Sequence, residues 1–180
     1  MVKKRIVSIV VVVLLFSTLM LNVFAYVPNT TNKLQLTSVQ YGLILNVYTS
    51  GNPASGNNVT LYTPNSDSTG NASQSWKNVE ISAANGQYRL ACYYNTALTL
   101  NYNQATSKCT VYTVANNYYK DYIISYLDST NGSNIIRLAH RDLYLGNSGN
   151  YNGAQCYWYS YTENMTVPEQ NKWNITTWMY

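Results

Sequence analysis

Asn58-Val59-Thr60-Leu61-Tyr62-Thr63 is answered twice further along the chain, by Lys108-Cys109-Thr110-Val111-Tyr112-Thr113 and by Gln155-Cys156-Tyr157-Trp158-Tyr159-Ser160. Successive tyrosines of this set, Tyr62, Tyr112 and Tyr159, stand 50 and 47 residues apart. Ahead of each copy lies an apolar pair: Leu43-Ile44-Leu45-Asn46, Leu98-Thr99-Leu100-Asn101 and Leu143-Tyr144-Leu145-Gly146. Leucines two apart share one face of a strand. Behind each copy comes Gln74-Ser75-Trp76, Asp121-Tyr122-Ile123 or Asn171-Lys172-Trp173, in which an amide or carboxylate precedes a large apolar residue by two positions. Trp76, Ile123 and Trp173 are therefore expected to be equivalent. Three elements in one order, three times over, define units of roughly 50 residues, bounded near 33–83, 84–131 and 132–180.

Turn formers separate the elements: Ser50-Gly51-Asn52-Pro53, Ser55-Gly56-Asn57, Ala84-Asn85-Gly86, Ser129-Thr130-Asn131-Gly132 and the stretch from Asn147 to Gly153. No segment after residue 25 sustains a helical period, so the reading is all-β. One such unit cannot bury its own apolar face. Three closing around a common axis can, which predicts a barrel with threefold pseudosymmetry.

Charged residues make up 10% of the 180, against about a quarter in ordinary domains. With 46% hydrophobic residues and 19 Tyr, the chain can bury a core, while its polar remainder hydrogen-bonds largely without charge. Disordered, coiled-coil and nucleic-acid-tail readings are excluded. Lys3, Lys4 and Arg5 precede an apolar run from Ile6 to Leu21 that ends in Val23-Phe24-Ala25, the pattern of a secretory signal cut after Ala25. The alternative is a retained anchor, since the run is about long enough to span a bilayer. With residues 1–25 removed, the mature domain 26–180 keeps 8 basic residues (11 less 3) against 7 acidic ones, a net charge of +1. No basic surface for nucleic acid remains. Export also suits the cysteines. Cys92 and Cys109 are the closest pair in sequence and the expected disulfide, with Cys156 left over; three buried thiols are the alternative.

The Gln74-Ser75-Trp76 element, its altered copy at Asn171-Lys172-Trp173 and the triplication together resemble the β-trefoil of the ricin-type lectins. The same fold is met as carbohydrate-binding modules attached to glycosidases. The resemblance spans Lys33 to Trp178. It implies a non-catalytic sugar-binding module in which each pocket draws an acid from the first strand element, an aromatic platform from the second and an Asn or Gln from the third. Carried onto this chain, the first repeat supplies Asn46, Tyr62 and Gln74, with Thr60 and Ser73 beside them. The second supplies Thr99 or Asn101, with Tyr112 and Asp121. The third supplies Tyr144, Tyr159 and Asn171. The expected main pocket is the first. Tyr, Asn and Gln suit this task, because a flat ring lies under the apolar face of a sugar while short amides grip its hydroxyls. One departure matters: the Asp that the family places on the first strand is missing, and Asn46 stands there in the first repeat. Hydrogen bonds to it fall towards the neutral value of about 1 kcal/mol.

The implied partners are glycans, galactose-type sugars first, carried by a cell-surface glycoprotein or met beside a separate toxin or enzyme subunit. No cofactor or metal is expected. The competing reading is a protein-binding β-trefoil, a protease inhibitor or toxin receptor-binding subunit, with the Tyr-dense stretch Cys156 to Tyr161 as its surface. Catalysis finds little support. The sole histidine, His140, lies between Arg137 and Arg141, no Gly-x-Ser-x-Gly stretch exists, and Asp67, Glu80, Asp121, Asp128, Asp142, Glu163 and Glu169 form no indicated pair. Sequons at Asn29, Asn58, Asn71, Asn131, Asn164 and Asn174 are expected from so Asn- and Thr-rich a composition.

Overall fold

A computed structural model describes residues 29–65, 72–114, 116–128, 132–161 and 166–177. The expected signal segment 1–25 and the sequons at Asn71, Asn131 and Asn164 lie outside the described residues. Each repeat folds into four strands. The first holds β1 (Leu34–Ser38), β2 (Ile44–Val47), β3 (Val59–Tyr62) and β4 (Trp76–Ser82). The second holds β5 (Gln87–Cys92), β6 (Asn95–Tyr102), β7 (Cys109–Thr113) and β8 (Ile124–Asp128). The third holds β9 (Asn134–Leu138), β10 (Leu143–Asn147), β11 (Cys156–Ser160) and β12 (Lys172–Thr177). Alternation drives them: in β1, Leu34, Leu36 and Ser38 are buried while Gln35 and Thr37 are half-exposed.

The first and fourth strands of every repeat make the barrel. β1 pairs with β4, β4 with β5, β5 with β8, β8 with β9, β9 with β12, and β12 returns to β1, all antiparallel. The ring has no free edge. The middle strands form the hairpins β2–β3, β6–β7 and β10–β11, which interlock through bridges joining Asn58 to Thr110, Lys108 to Tyr157 and Gln155 to Thr60. This is a β-trefoil, as the triplicated sequence predicts. Hairpin register fixes the equivalences: Leu45 opposes Leu61, Leu100 opposes Val111 and Leu145 opposes Trp158.

The hairpin loops relay from repeat to repeat. Gly56 donates to the Val111 carbonyl, Trp158 donates to the Ser107 carbonyl, and Gly153 donates to the Leu61 carbonyl. Each loop thus braces the next repeat, and the third braces the first. Gly56 and Gly153 hold φ of 91° and 88°, which glycine adopts without steric cost. Where the relay strands meet, the amide nitrogen of half-buried Gln155 lies 2.9, 3.1 and 2.7 Å from the carbonyl oxygens of Val59, Cys109 and Cys156, which are threefold equivalents.

Two expectations are corrected. Ile123 is not the counterpart of Trp76 and Trp173; Ile124 is. Trp76 opposes Leu34, Ile124 opposes Tyr88 and Trp173 opposes Asn134, the same barrel position in each repeat. The 3-10 turn Asn116–Asp121 leads into β8 with one more residue than separates Asn171 from Trp173, and that extra residue shifts the match. Nor do Cys92 and Cys109 form a disulfide, since all three cysteines are buried free thiols. Cys92 ends β5 opposite Trp76, whereas Cys109 opens β7 near the axis, where its electrostatic neighbour is Cys156. Proximity in sequence placed the pair on different parts of the barrel.

Candidate functional site

Hairpin register brings three positions of each repeat round one spot outside the barrel: 46, 101 or 146 on the inner hairpin strand, 62, 112 or 159 on the outer one, and 74, 121 or 171 in the turn before the closing strand. In the second repeat the strand residue is Asn101, the counterpart of Asn46; Thr99 is fully buried. In the third it is Gly146, since Tyr144 falls two positions earlier in the register.

The first repeat has a cleft of about 210 Å³ lined by Asn46, Tyr48, Tyr62, Asn65, Ser73 and Gln74. Asn46 donates its amide to Thr60 Oγ1 at 3.4 Å, and Thr60 is itself buried, so Thr60 props Asn46 rather than lining the cleft. Gln74 is committed at both ends. Its Nε2 donates to the Thr63 carbonyl at 3.0 Å and its Oε1 accepts the Asn65 N–H at 3.1 Å, fixing the chain as it leaves β3.

The second repeat opens wider, to about 380 Å³, round Asn101, Tyr102, Gln104, Tyr112, Asp121 and Tyr122. Asn101 repeats the support seen in the first repeat, donating to Thr110 Oγ1 at 3.3 Å. Tyr112 presents its ring at 53% exposure against 37% for Tyr62. Asp121 is a buried carboxylate held in place from two sides: Gln104 Nε2 donates to Oδ2 at 2.7 Å, and Arg141 Nη2 lies 2.9 Å from Oδ1. Arg141 comes from the β9–β10 turn and sits 5.4 Å over the Tyr102 ring, so the third repeat holds two lining residues of the second repeat's cleft, Asp121 and Tyr102.

In the third repeat, Asn171 takes the space beside Gly146. A methyl carbon on Gly146 would stand 2.4 Å from Asn171 Nδ2 and 3.0 Å from the Tyr159 ring. Fully buried Asn171 donates to the Tyr144 carbonyl and accepts the Tyr161 hydroxyl at 2.6 Å. Tyr159 donates to the Asn147 carbonyl and stacks on Tyr161 with centroids 6.5 Å apart. Burial, then the neighbouring tyrosines, pushes the Tyr159 phenol up to about 12. Asn171 and Tyr161 bond each other, and the backbone carbonyls of Tyr144 and Asn147 take the remaining donors of Asn171 and Tyr159.

Tyr48, Asn65, Tyr102, Gln104 and Tyr122 belong to these walls, with Arg141 behind Asp121 as its ion-pair partner, and the repeat pattern marks none of them. Tyr102 was within reach, two positions beyond Leu100 on the same strand. Arg141 carried no linear signal, because it arrives from another repeat. His140 is exposed on the β9–β10 turn, with its ring edge-on to Tyr119 at 5.2 Å. Cys156 to Tyr159 alternates buried and half-exposed along β11, and Tyr157 and Trp158 meet the second repeat at Lys108, Ser107 and Asn101.

Fold and register define the class: a β-trefoil with one cleft position per repeat. Comparison with protein-family models gave no match, and comparison with curated proteins gave none. Solved structures do match. The BEL β-trefoil aligns with a TM-score of 0.64 at 16% identity, over 86% of this chain and 98% of that one. The Rhizoctonia solani agglutinin gives 0.63 at 15%, over 85% and 99%. An exo-β-1,3-galactanase from Clostridium thermocellum gives 0.66 at 17%, over 84% of this chain and 31% of its own. At these identities the likeness is one of fold.

Proposed function

We propose that this chain is an exported, non-catalytic carbohydrate-binding β-trefoil. The observation that carries the reading is the repetition of one arrangement, an exposed Tyr ring beside an Asn propped by a Thr hydroxyl, round an open cleft in two repeats. An aromatic face and directional amides are what a sugar's two sides require. The second repeat is the stronger cleft. It is larger and its tyrosine is more exposed. Galactose-type sugars on a cell-surface glycoprotein are the first ligands to try.

The test is a multivalent glycan array followed by Tyr112→Ala. Losing a stacking platform should weaken binding at least tenfold, about 1.4 kcal/mol, with far-UV circular dichroism retained. An array with no binder in multivalent format would end this reading. Export is tested separately. Mass spectrometry of the extracellular fraction should find Tyr26 as the first residue; an intact Met1 in membranes would contradict it.

A further inference from the structure

We propose that the first-repeat cleft is one half of a longer groove that takes a linear glycan chain rather than a single sugar, its second half being an unassigned cleft floored by Cys92 and faced by Tyr94. The inference rests on the carbohydrate reading above. The second cleft measures about 290 Å³ and is bounded by Asn52, Pro53, Ala72, Tyr94 and Asn95. None of these occupies the threefold position that makes the other clefts, so the repeat pattern does not generate it.

The same two chain segments flank both cavities. Along one side runs the segment before β4: Ala72 lines the new cleft, and the next two residues, Ser73 and Gln74, line the first-repeat cleft. That segment is pinned from either flank. Val47 donates to the Ser73 carbonyl at 2.8 Å and Tyr93 donates to the Ser75 carbonyl at 2.9 Å. Along the other side runs the turn after β2, with Thr49 in one cleft and Asn52 and Pro53 in the other. Thr49 Oγ1 accepts the Gly51 N–H at 3.1 Å and donates to the Asn52 carbonyl, which keeps the turn compact.

The far end carries sugar chemistry of its own. Tyr94 is 58% exposed, yet its ring is held: Tyr93 packs edge-on at 5.1 Å and Lys33 Nζ donates to its hydroxyl at 3.2 Å. An ordered ring of this kind loses little entropy on stacking. Asn52 and Asn95 set uncharged amides beside it. At the near end, Gln74 is already spent on the backbone and the cleft is small. A second aromatic face gives a chain of sugars the grip that one sugar lacks there.

The experiment uses the protein carrying Tyr112→Ala, so that the second repeat does not contribute, and compares the best-bound monosaccharide of the array with its linear trimer by calorimetry. The trimer should bind about tenfold tighter, and adding Tyr94→Ala should remove that gain while leaving the monosaccharide unchanged. Tyr94→Phe, which keeps the ring, should retain the gain. A trimer that binds no better than the monosaccharide would overturn the proposal, as would Tyr94→Ala weakening both ligands equally. If the unsubstituted protein binds neither ligand, the carbohydrate reading falls with it.

Discussion

Gln155 makes one hydrogen-bonding group serve three repeats. Its amide nitrogen has two hydrogens and three carbonyl neighbours, on Val59, Cys109 and Cys156, all three of them fully buried residues. Those oxygens are turned towards the axis by the register of three hairpins, and each is costly to leave unpaired. Gln155→Ala should lower stability by about 1 to 3 kcal/mol, read from the urea midpoint. Gln155→Lys, which supplies donors of similar reach, should lose less. Equal losses in both variants would assign the effect to packing instead. The contrast at position 146 belongs to the same scale. Asn46 and Asn101 line a cleft with their own side chains, whereas Gly146 yields the space of its missing side chain to Asn171.

At the scale of elements, the tryptophans tie barrel to hairpin. Trp76 Nε1 donates to the Leu45 carbonyl at 2.9 Å and Trp173 Nε1 to the Leu145 carbonyl at 3.2 Å, joining β4 to β2 and β12 to β10 at equivalent points. Truncating either to Ala should cost about 3 to 5 kcal/mol. Replacement by Phe should keep most of the packing and lose about 1 kcal/mol for the hydrogen bond. An unchanged melting temperature for Trp76→Ala would contradict the packing. The equivalence of the two tryptophans is legible in the sequence, because each follows a leucine pair at nearly fixed spacing; the indole hydrogen bonds are not. Ile124 was not, since a six-residue 3-10 turn concealed one inserted residue and made Ile123 look equivalent. The Tyr, Asn and Gln of the clefts could be found by aligning repeats. Arg141, Asn52 and Tyr94 could not, since they converge from separate hairpins and turns.

Over the whole molecule, the buried thiols set the response to alkali. Burial pushes Cys92 up from 9.0 to about 12 and also raises Cys109 and Cys156 well above 9.0, Cys109 with a further contribution from Cys156. Below pH 9 neither the folded nor the unfolded chain ionises them, and their contribution to stability is fully present. Above pH 9 the unfolded chain loses protons that the folded one keeps. Stability should then fall by about 1.4 kcal/mol per pH unit for each such thiol, with Cys92 ceasing to add to the fall near pH 12. Urea midpoints measured from neutral pH upward should show this slope, and Cys92→Ala should make it shallower. A thiol reagent should count three cysteines in unreduced, unfolded protein and react slowly with the native fold. A count of one would restore the disulfide.

The relay of loops also determines where the chain can be opened. Leu34 lies opposite Thr177 across β1 and β12, one strand spacing of about 5 Å apart, so the two ends of the barrel could be spliced by a short linker. The connection from β4 to β5, through Ala83–Asn85 and Gly86, carries no part of the relay. A circular permutant beginning at Gln87 and ending near Asn85 would keep every loop-to-repeat hydrogen bond and both clefts while moving the seam by one third of a turn. Cutting within Ser55 to Asn57 instead would sever the link from the first repeat to the second. A ring of three parts has no natural first member; only the loops that pass from one part to the next are indispensable.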